Sequence, residues 1–136
     1  MNTKKKGFNH AQQFATGGAY KSHELKSWPE FFQKVLSKEK TFEIRRNDRD
    51  FQVGDYVTLL EFIPEGRELE KGGVIRTSCG EFTGEWIRFR VTDIFSSKEA
   101  SGLPLGIVLS SWVIMSFHIE DSGKLSGAKA LQERLI

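Results

Sequence analysis

Cysteine is nearly absent from this sequence, and its absence excludes a fold built on disulfides. The 136 residues contain a single cysteine, Cys79, so no intramolecular disulfide can form. The three histidines, His10, His23 and His118, lie far apart and show no Cys/His spacing typical of a zinc site. We therefore expect no metal and no other cofactor. We also expect the protein to be in a reducing compartment.

Long apolar runs are also missing. No stretch approaches the roughly 18 apolar residues that a membrane-spanning helix requires. The N-terminal lysines lead into a segment rich in Gly, Gln and Thr instead of the apolar centre of a signal peptide. The sequence predicts a cytoplasmic protein without a membrane partner.

A large excess of one charge is the third absence. Lys and Arg number 20 against 18 Asp and Glu, so the formal net charge of +2 gives no strong overall field for coating long nucleic acids. The charges are unevenly distributed, however. Residues 1–49 carry 11 basic and 5 acidic side chains, whereas residues 50–136 carry 9 and 13. This division permits a local basic site on a nearly neutral protein.

The length and the 38% hydrophobic content are typical of one globular domain. Residues 1–21 contain a run of three lysines and few apolar side chains, which predicts a flexible basic tail. Residues 22–120 are expected to form the folded domain. Residues 121–136 are expected to form a Ser/Gly linker followed by a short helix.

A helix is predicted to begin close to residue 27. Ser27 and Glu30 have the spacing of a capping box, and Pro29 suits the first turn of a helix. The following apolar side chains recur at helical spacing and predict one face packed on a sheet: Trp28, Phe31, Phe32, Val35 and Leu36.

Alternation of apolar and polar residues predicts strands after this helix. In residues 41–45, Phe42 and Ile44 share one face, and Thr41, Glu43 and Arg45 share the other. Further strands are predicted over residues 56–63, 74–77, 86–95 and 112–119. One helix followed by several strands predicts an α+β domain whose sheet of about five to six strands curls into a small barrel.

Five short motifs occur in a specific order in the first half of the chain: His23–Lys26, Trp28–Glu30, Lys40–Arg45, Asn47–Phe51 and Val53–Asp55. This order resembles a family of small bacterial and phage proteins of unknown function within the ASCH domains of the PUA-like superfamily. The resemblance is close over residues 23–63 and covers the later strands only in outline. It implies a PUA-like β-barrel with a helix against it and a cleft associated with RNA or modified nucleosides.

The ASCH signature, Gly-x-Lys-x-x-Glu-x-Arg, places Lys40, Glu43 and Arg45 at its three polar positions. Lys38 stands where the signature has glycine, a departure that concerns a turn. Some members of the superfamily are acetylcytidine amidohydrolases, in which a lysine at the position of Lys40 acts with a threonine at the position of Glu43. Glutamate cannot supply that hydroxyl nucleophile, which weakens an amidohydrolase assignment for this chain.

The residues themselves place cations, a carboxylate and an amide at the end of one strand and in its turn. We expect the ligand site to comprise Lys40, Glu43, Arg45, Arg46, Asn47 and Arg49, with His23 as a further hydrogen-bonding group. Arg and Lys bind phosphate, while Glu or Asn can hydrogen-bond a base edge. Trp28, or a strand aromatic such as Trp86, would supply a stacking surface. The structural alternative is an exposed ion network of Glu43 and Arg45 that only fixes the sheet.

Three functions compete at this point. The first is binding of RNA, a nucleotide or a modified nucleoside in a cleft around residues 40–49. The second is hydrolysis of an acylated nucleoside, with Lys40 as nucleophile or base and Glu43 as proton carrier. The third is a phage-type inhibitor that binds a host protein through this cleft or through the acidic residues 61–85.

Overall fold

The computed structural model of the chain describes residues 20–67, 72–96 and 111–125. Within these residues lie one short helix and six strands: β1 (Ser22–Ser27), α1 (Pro29–Leu36), β2 (Phe42–Arg46), β3 (Tyr56–Pro64), β4 (Ile75–Thr77), β5 (Gly80–Ser96) and β6 (Trp112–Lys124). Residues 1–19 of the expected tail (1–21) and the expected short C-terminal helix lie outside the described residues, whereas the backbone of Lys21 bonds to Asp55 and Tyr56.

The helix α1 does not begin with the predicted capping box. Its N-cap is Trp28, Pro29 occupies the first turn, and no side chain of the described residues caps the first backbone N–H groups. Proline needs no partner for its nitrogen, so the helix starts without a Ser27 cap. At the other end, the backbone N–H of Ser37 bonds to the carbonyl of Gln33, and Lys38 adopts φ +67°.

The strands form a single curled sheet in the order β1-β3-β5-β6-β2, and β4 pairs with β5. The pair β1·β3 is parallel and the other pairs are antiparallel. Four predicted strands are confirmed as β2, β3, β4 and β5, and β6 continues to Lys124, beyond the predicted start of a linker at residue 121. The strand β1 was not predicted, because its buried face alternates His23, Leu25 and Ser27 and is therefore largely polar.

The hydrophobic core lies inside the curl of the sheet, under α1. The helix contributes Phe32 and Val35, both fully buried, and β5 contributes Ile87, Phe89 and Val91. The other buried members are Leu25, Phe51, Val57, Leu59, Val113 and Met115. A second, smaller cluster of Leu60, Phe62 and Phe82 lies toward the β4–β5 hairpin, with Trp86 packed against it.

Two arginine side chains bridge the edges of the sheet, β1 and β2. The guanidinium of Arg45 donates to the carbonyl of Lys26 at 2.8 Å, and that of Arg49 donates to the carbonyl of Glu24 at 3.0 Å. Carbonyls on an edge strand otherwise depend on water, so these bonds occupy part of the β1 edge. The result is a mostly β, barrel-like α+β fold, which confirms the predicted fold class at this level.

The helix α1 has only eight residues. In the described part of the chain, no helix is long and apolar enough to cross a membrane.

Candidate functional site

The strand β2 buries its charged face and exposes its apolar face. Glu43 is only 3% exposed, whereas Phe42 and Ile44 are 42% and 43% exposed. The alternation predicted which residues share a face, but the usual placement of the apolar side inward is reversed. The alternative of an exposed ion network therefore does not describe Glu43. An inward carboxylate requires partners, since burial of an unpaired charge is costly.

Glu43 has such partners on both carboxylate oxygens. The ammonium of Lys40 donates to Oε1 at 3.1 Å, and the Nε of Arg45 donates to Oε2 at 2.9 Å. Arg45 also reaches the Lys26 carbonyl, so the same guanidinium connects β2 to β1. The three side chains form a polar cluster, Lys40–Glu43–Arg45, whose positions are fixed by these bonds.

This cluster lies in a groove of about 550 Å³ between the end of β1, the start of α1, β2 and the start of β6. The volume falls in the range of pockets that hold small organic ligands. The groove is lined by Lys26, Ser27, Trp28, Phe31, Lys40, Phe42, Glu43, Ile44, Arg45 and Trp112. Its charged members are three cations and one carboxylate, which favours an anionic ligand.

Large apolar side chains form the walls of the groove and are about half exposed. Trp28 is 47% exposed, Phe31 46% and Trp112 37%. The rings of Trp28 and Phe31 lie at 26° to each other with centroids 6.5 Å apart. The Lys40 ammonium lies 5.5 Å from the Phe31 ring and 5.4 Å from the Phe42 ring, within cation–π range. The groove thus combines ring surfaces with a charged floor.

An ion pair, Arg67–Glu30, and a hydrogen-bonded thiol, Cys79, flank the groove. Arg67 lies over the Trp28 ring at 5.5 Å and binds Glu30 through both of its terminal nitrogens, and this hydrogen bonding holds the pKa of the Glu30 carboxyl below its ordinary value. Hydrogen bonds from Thr77 and then Lys26 lower the pKa of the exposed Cys79 thiol. Lys26 therefore connects the groove to the β4–β5 hairpin.

The predicted site residues separate into two groups. Lys40, Glu43, Arg45 and Trp28 line the groove together. Arg46, Asn47, Arg49 and His23 are not among its lining residues. Arg46 lies over the Trp112 ring at 5.3 Å, the backbone N–H of Asn47 donates to the Ser111 carbonyl, and Arg49 binds β1. Trp86, the second stacking candidate, packs against Gly123 instead.

His23, on the inward face of β1, takes part in a buried hydrogen-bond network with Asp55. Its Nε2 lies 2.8 Å from Oδ2 of Asp55, and its ring contacts Phe51 at 4.6 Å between centroids. The Asp55 carboxylate also accepts the backbone N–H groups of Lys21 and Gln52. This arrangement ties β1 to the turn before β3.

Sequence reasoning missed six of the ten residues that line the groove: Lys26, Ser27, Phe31, Phe42, Ile44 and Trp112. One feature of the sequence indicated the groove. The apolar face predicted for α1 is wider than the part of a helix that can pack against the sheet. Five apolar residues were assigned to that face, but Phe32 and Val35 enter the core while Trp28 and Phe31 turn to the groove. No cluster of three His, Cys, Asp or Glu side chains in the described residues is placed to hold a metal.

The chain is similar to a family of domains and to a phage protein. A family model described as a domain of unknown function (DUF3850) matches residues 22–117, a range that contains every residue lining the groove. The chain is also similar to a protein of Escherichia phage P2 described as an uncharacterized 12.9 kDa protein in the GpA 3′ region, with 31% identity over 74 residues. The aligned part covers 54% of each protein, so the chain spans about half the length of this curated relative.

Proposed function

The chain belongs to the DUF3850 family of domains of unknown function, and on that premise we propose that its groove binds the base of a nucleotide, either free or as an unpaired residue of RNA. The proposal includes an ASCH or PUA-like identity for the domain. The order of motifs in residues 23–63 supports that identity, and the curled sheet with a helix against it is compatible with it.

The observation that carries the proposal is the exposure of aromatic rings around a fixed polar cluster. Folded domains rarely leave several large apolar side chains together on the surface unless something binds there. Trp28, Phe31 and Trp112 provide flat surfaces on which a base can stack, and stacking is the usual way in which proteins hold an unpaired base.

The charges of the groove support a phosphate-bearing ligand. Lys26, Lys40 and Arg45 outnumber the single carboxylate of Glu43. Both oxygens of that carboxylate accept bonds from cations, so its negative charge is balanced within the cluster. An anionic nucleotide is therefore attracted to the groove, whereas a cationic ligand is repelled.

The geometry favours binding over hydrolysis. The Lys40 nitrogen donates to the Glu43 carboxylate at 3.1 Å, whereas a nucleophilic amine needs a free lone pair directed at the carbonyl that it attacks. Glu43 supplies no hydroxyl at the position where the amidohydrolases of the superfamily have threonine. We therefore assign Lys40 and Glu43 to ligand binding.

The test is fluorescence anisotropy of a labelled single-stranded RNA containing all four bases, titrated with wild-type protein and with K40M. We expect K40M to weaken binding about tenfold through loss of a charge-assisted contact. K34M is the matched control, because Lys34 is an exposed lysine of α1 outside the groove. Its affinity should stay within about twofold of wild type, as expected for an uninvolved surface charge.

Wild-type binding should also weaken as salt rises, because phosphate contacts release counterions. Equal losses in K40M and K34M would show that binding does not use the groove. Failure of the wild-type protein to bind RNA or any mononucleotide at low salt would contradict the proposal itself.

A further inference from the structure

Arg67, which follows the turn at the end of β3, contacts an aromatic wall of the groove. Its guanidinium carbon lies 5.5 Å from the centroid of the Trp28 ring, within cation–π range. Arg67 itself does not line the groove, whereas Trp28 does. The backbone N–H of Arg67 donates to the carbonyl of Pro64, which closes the turn. The guanidinium thus reaches the ring from a separate part of the chain.

Glu30 fixes the orientation of this guanidinium. The two terminal nitrogens of Arg67 donate to Oε2 of Glu30 at 3.2 Å and to Oε1 at 2.9 Å. Such a bidentate pair orients the planar guanidinium as well as attracting it. Glu30 lies in the first turn of α1, two residues after Trp28. This pair, the Arg67–Glu30 clamp, is therefore anchored on the same helix end that carries the ring.

Stability of the fold does not account for the Arg67–Glu30 clamp. The two side chains are 39% and 45% exposed, and exposed ion pairs contribute little to stability. The Trp28 ring beneath the guanidinium belongs to neither hydrophobic cluster of the described residues. The clamp therefore orders an aromatic ring at the surface, and it does not support the core.

We infer that Arg67 is a positioning residue of the groove: through the Arg67–Glu30 clamp it holds the Trp28 ring in the orientation on which a base stacks. This inference rests on the proposed function and assigns part of the affinity to preorganisation. A side chain that is already ordered loses less conformational freedom when a ligand binds. The base contacts Trp28, and Arg67 acts through that ring.

The experiment measures by calorimetry the affinities of the four ribonucleoside monophosphates for wild type, R67M and E30Q. Removal of the Glu30 carboxylate makes the surroundings of the groove more attractive to an anion, so a direct phosphate contact of Arg67 predicts tighter binding by E30Q. The clamp predicts the opposite sign, about threefold weaker binding by both variants. The matched controls are R76M and E81Q, because Arg76 and Glu81 form an ion pair outside the groove. Their affinities should stay within about 1.5-fold of wild type.

Two further measurements test whether Arg67 acts through the ring. In a W28A background the ring is absent, so W28A and W28A/R67M should have affinities within about 1.5-fold of each other. The second measurement needs no ligand. In protein carrying W86F and W112F, the fluorescence anisotropy decay reports Trp28 alone, and R67M should increase its subnanosecond component, the timescale of free rotamer motion.

Tighter binding by E30Q, or a further loss of affinity in W28A/R67M, would show a direct contact of Arg67 with the ligand and overturn the inference. Unchanged affinity and anisotropy decay in R67M would also overturn it, while leaving the proposed function in place. So would early urea unfolding of both R67M and E30Q, the result for a structural ion pair. Absence of nucleotide binding by wild type would remove the proposed function, and the role of Arg67 in binding with it.

Discussion

At the scale of single residues, Glu43 is the centre of the site. It is a buried carboxylate on a strand whose apolar side chains are exposed, and it holds Lys40 and Arg45 through its two oxygens. A buried ion cluster adds little to stability compared with apolar packing, but loss of one member leaves the others unpaired. We interpret Glu43 as a positioning residue that fixes two cations at the floor of the groove.

The substitution E43Q tests this role. Glutamine keeps the shape of the side chain but turns an N–H₂ group toward one of the two cations, so we expect the free energy of unfolding to fall by about 2–4 kcal/mol. Urea denaturation followed by circular dichroism measures the change. The control is E39Q, at an exposed glutamate in the preceding turn, for which a change below about 0.5 kcal/mol is expected. Equal stability of E43Q and wild type would show that the cluster does not depend on this charge.

The sequence was informative about these residues to different degrees. Lys40, Glu43 and Arg45 were grouped because they are two or three positions apart around one short strand, and the structure places them together in the groove; their role in ligand binding stays a prediction. Arg49 was grouped with them by the same nearness, but its guanidinium binds the carbonyl of Glu24. Nearness in sequence does not show whether an arginine contacts a ligand or the backbone of another strand. That depends on which strand edge faces the arginine side chain in the folded protein.

At the scale of elements, β1 shows where periodicity is insufficient. Its inward residues include a histidine and a serine, so the strand has no apolar alternation to find. A tertiary hydrogen bond explains the buried His23, which meets Asp55 of the turn before β3; the Ser27 hydroxyl has no hydrogen-bond partner among the described residues. The later strands, with purely apolar inward faces such as Ile87, Phe89 and Val91, were predicted because burial alone determines them.

The end of α1 gives an element-scale prediction. Lys38 has φ +67°, in the left-handed region that favours glycine. Relief of this strain should make K38G more stable than wild type by about 0.5–1 kcal/mol.

The matched variant is K34G, which removes the same side chain one turn earlier, inside the helix. It should lose about 1 kcal/mol, because glycine is a poor residue in a helix interior. Urea unfolding of the two variants beside wild type gives both values. A K38G protein as destabilised as K34G would contradict the left-handed conformation at residue 38.

At the scale of the whole molecule, the groove exists because the curled sheet brings its edges together. Arg45 of β2 and Arg49 of the turn after β2 both bind β1, and the groove opens beside this junction, with α1 and the start of β6 as its other walls. Its aromatic members lie more than 80 positions apart in the chain, from Trp28 to Trp112. The α+β class followed from the order of the elements, but this juxtaposition follows from sheet curvature, which no local pattern encodes.

The distribution of charge acts at the same scale. Three of the eleven basic residues of 1–49, Lys26, Lys40 and Arg45, line the groove, while the molecule as a whole stays close to neutral. Such a molecule attracts a short anionic ligand locally without coating long nucleic acids. The proposed ligand, one nucleotide or one unpaired base, matches the size of the groove as well as its charge.

The most direct measurement of the central claim is tryptophan fluorescence during titration with a nucleotide. Of the three tryptophans, Trp28 and Trp112 line the groove and Trp86 packs elsewhere. A stacked base quenches the first two, so W86F should show saturable quenching as strong as that of wild type. The double variant W28F/W112F, which keeps only Trp86, should show none. Quenching that persists in W28F/W112F, or its absence in W86F at millimolar nucleotide, would contradict base binding in the groove.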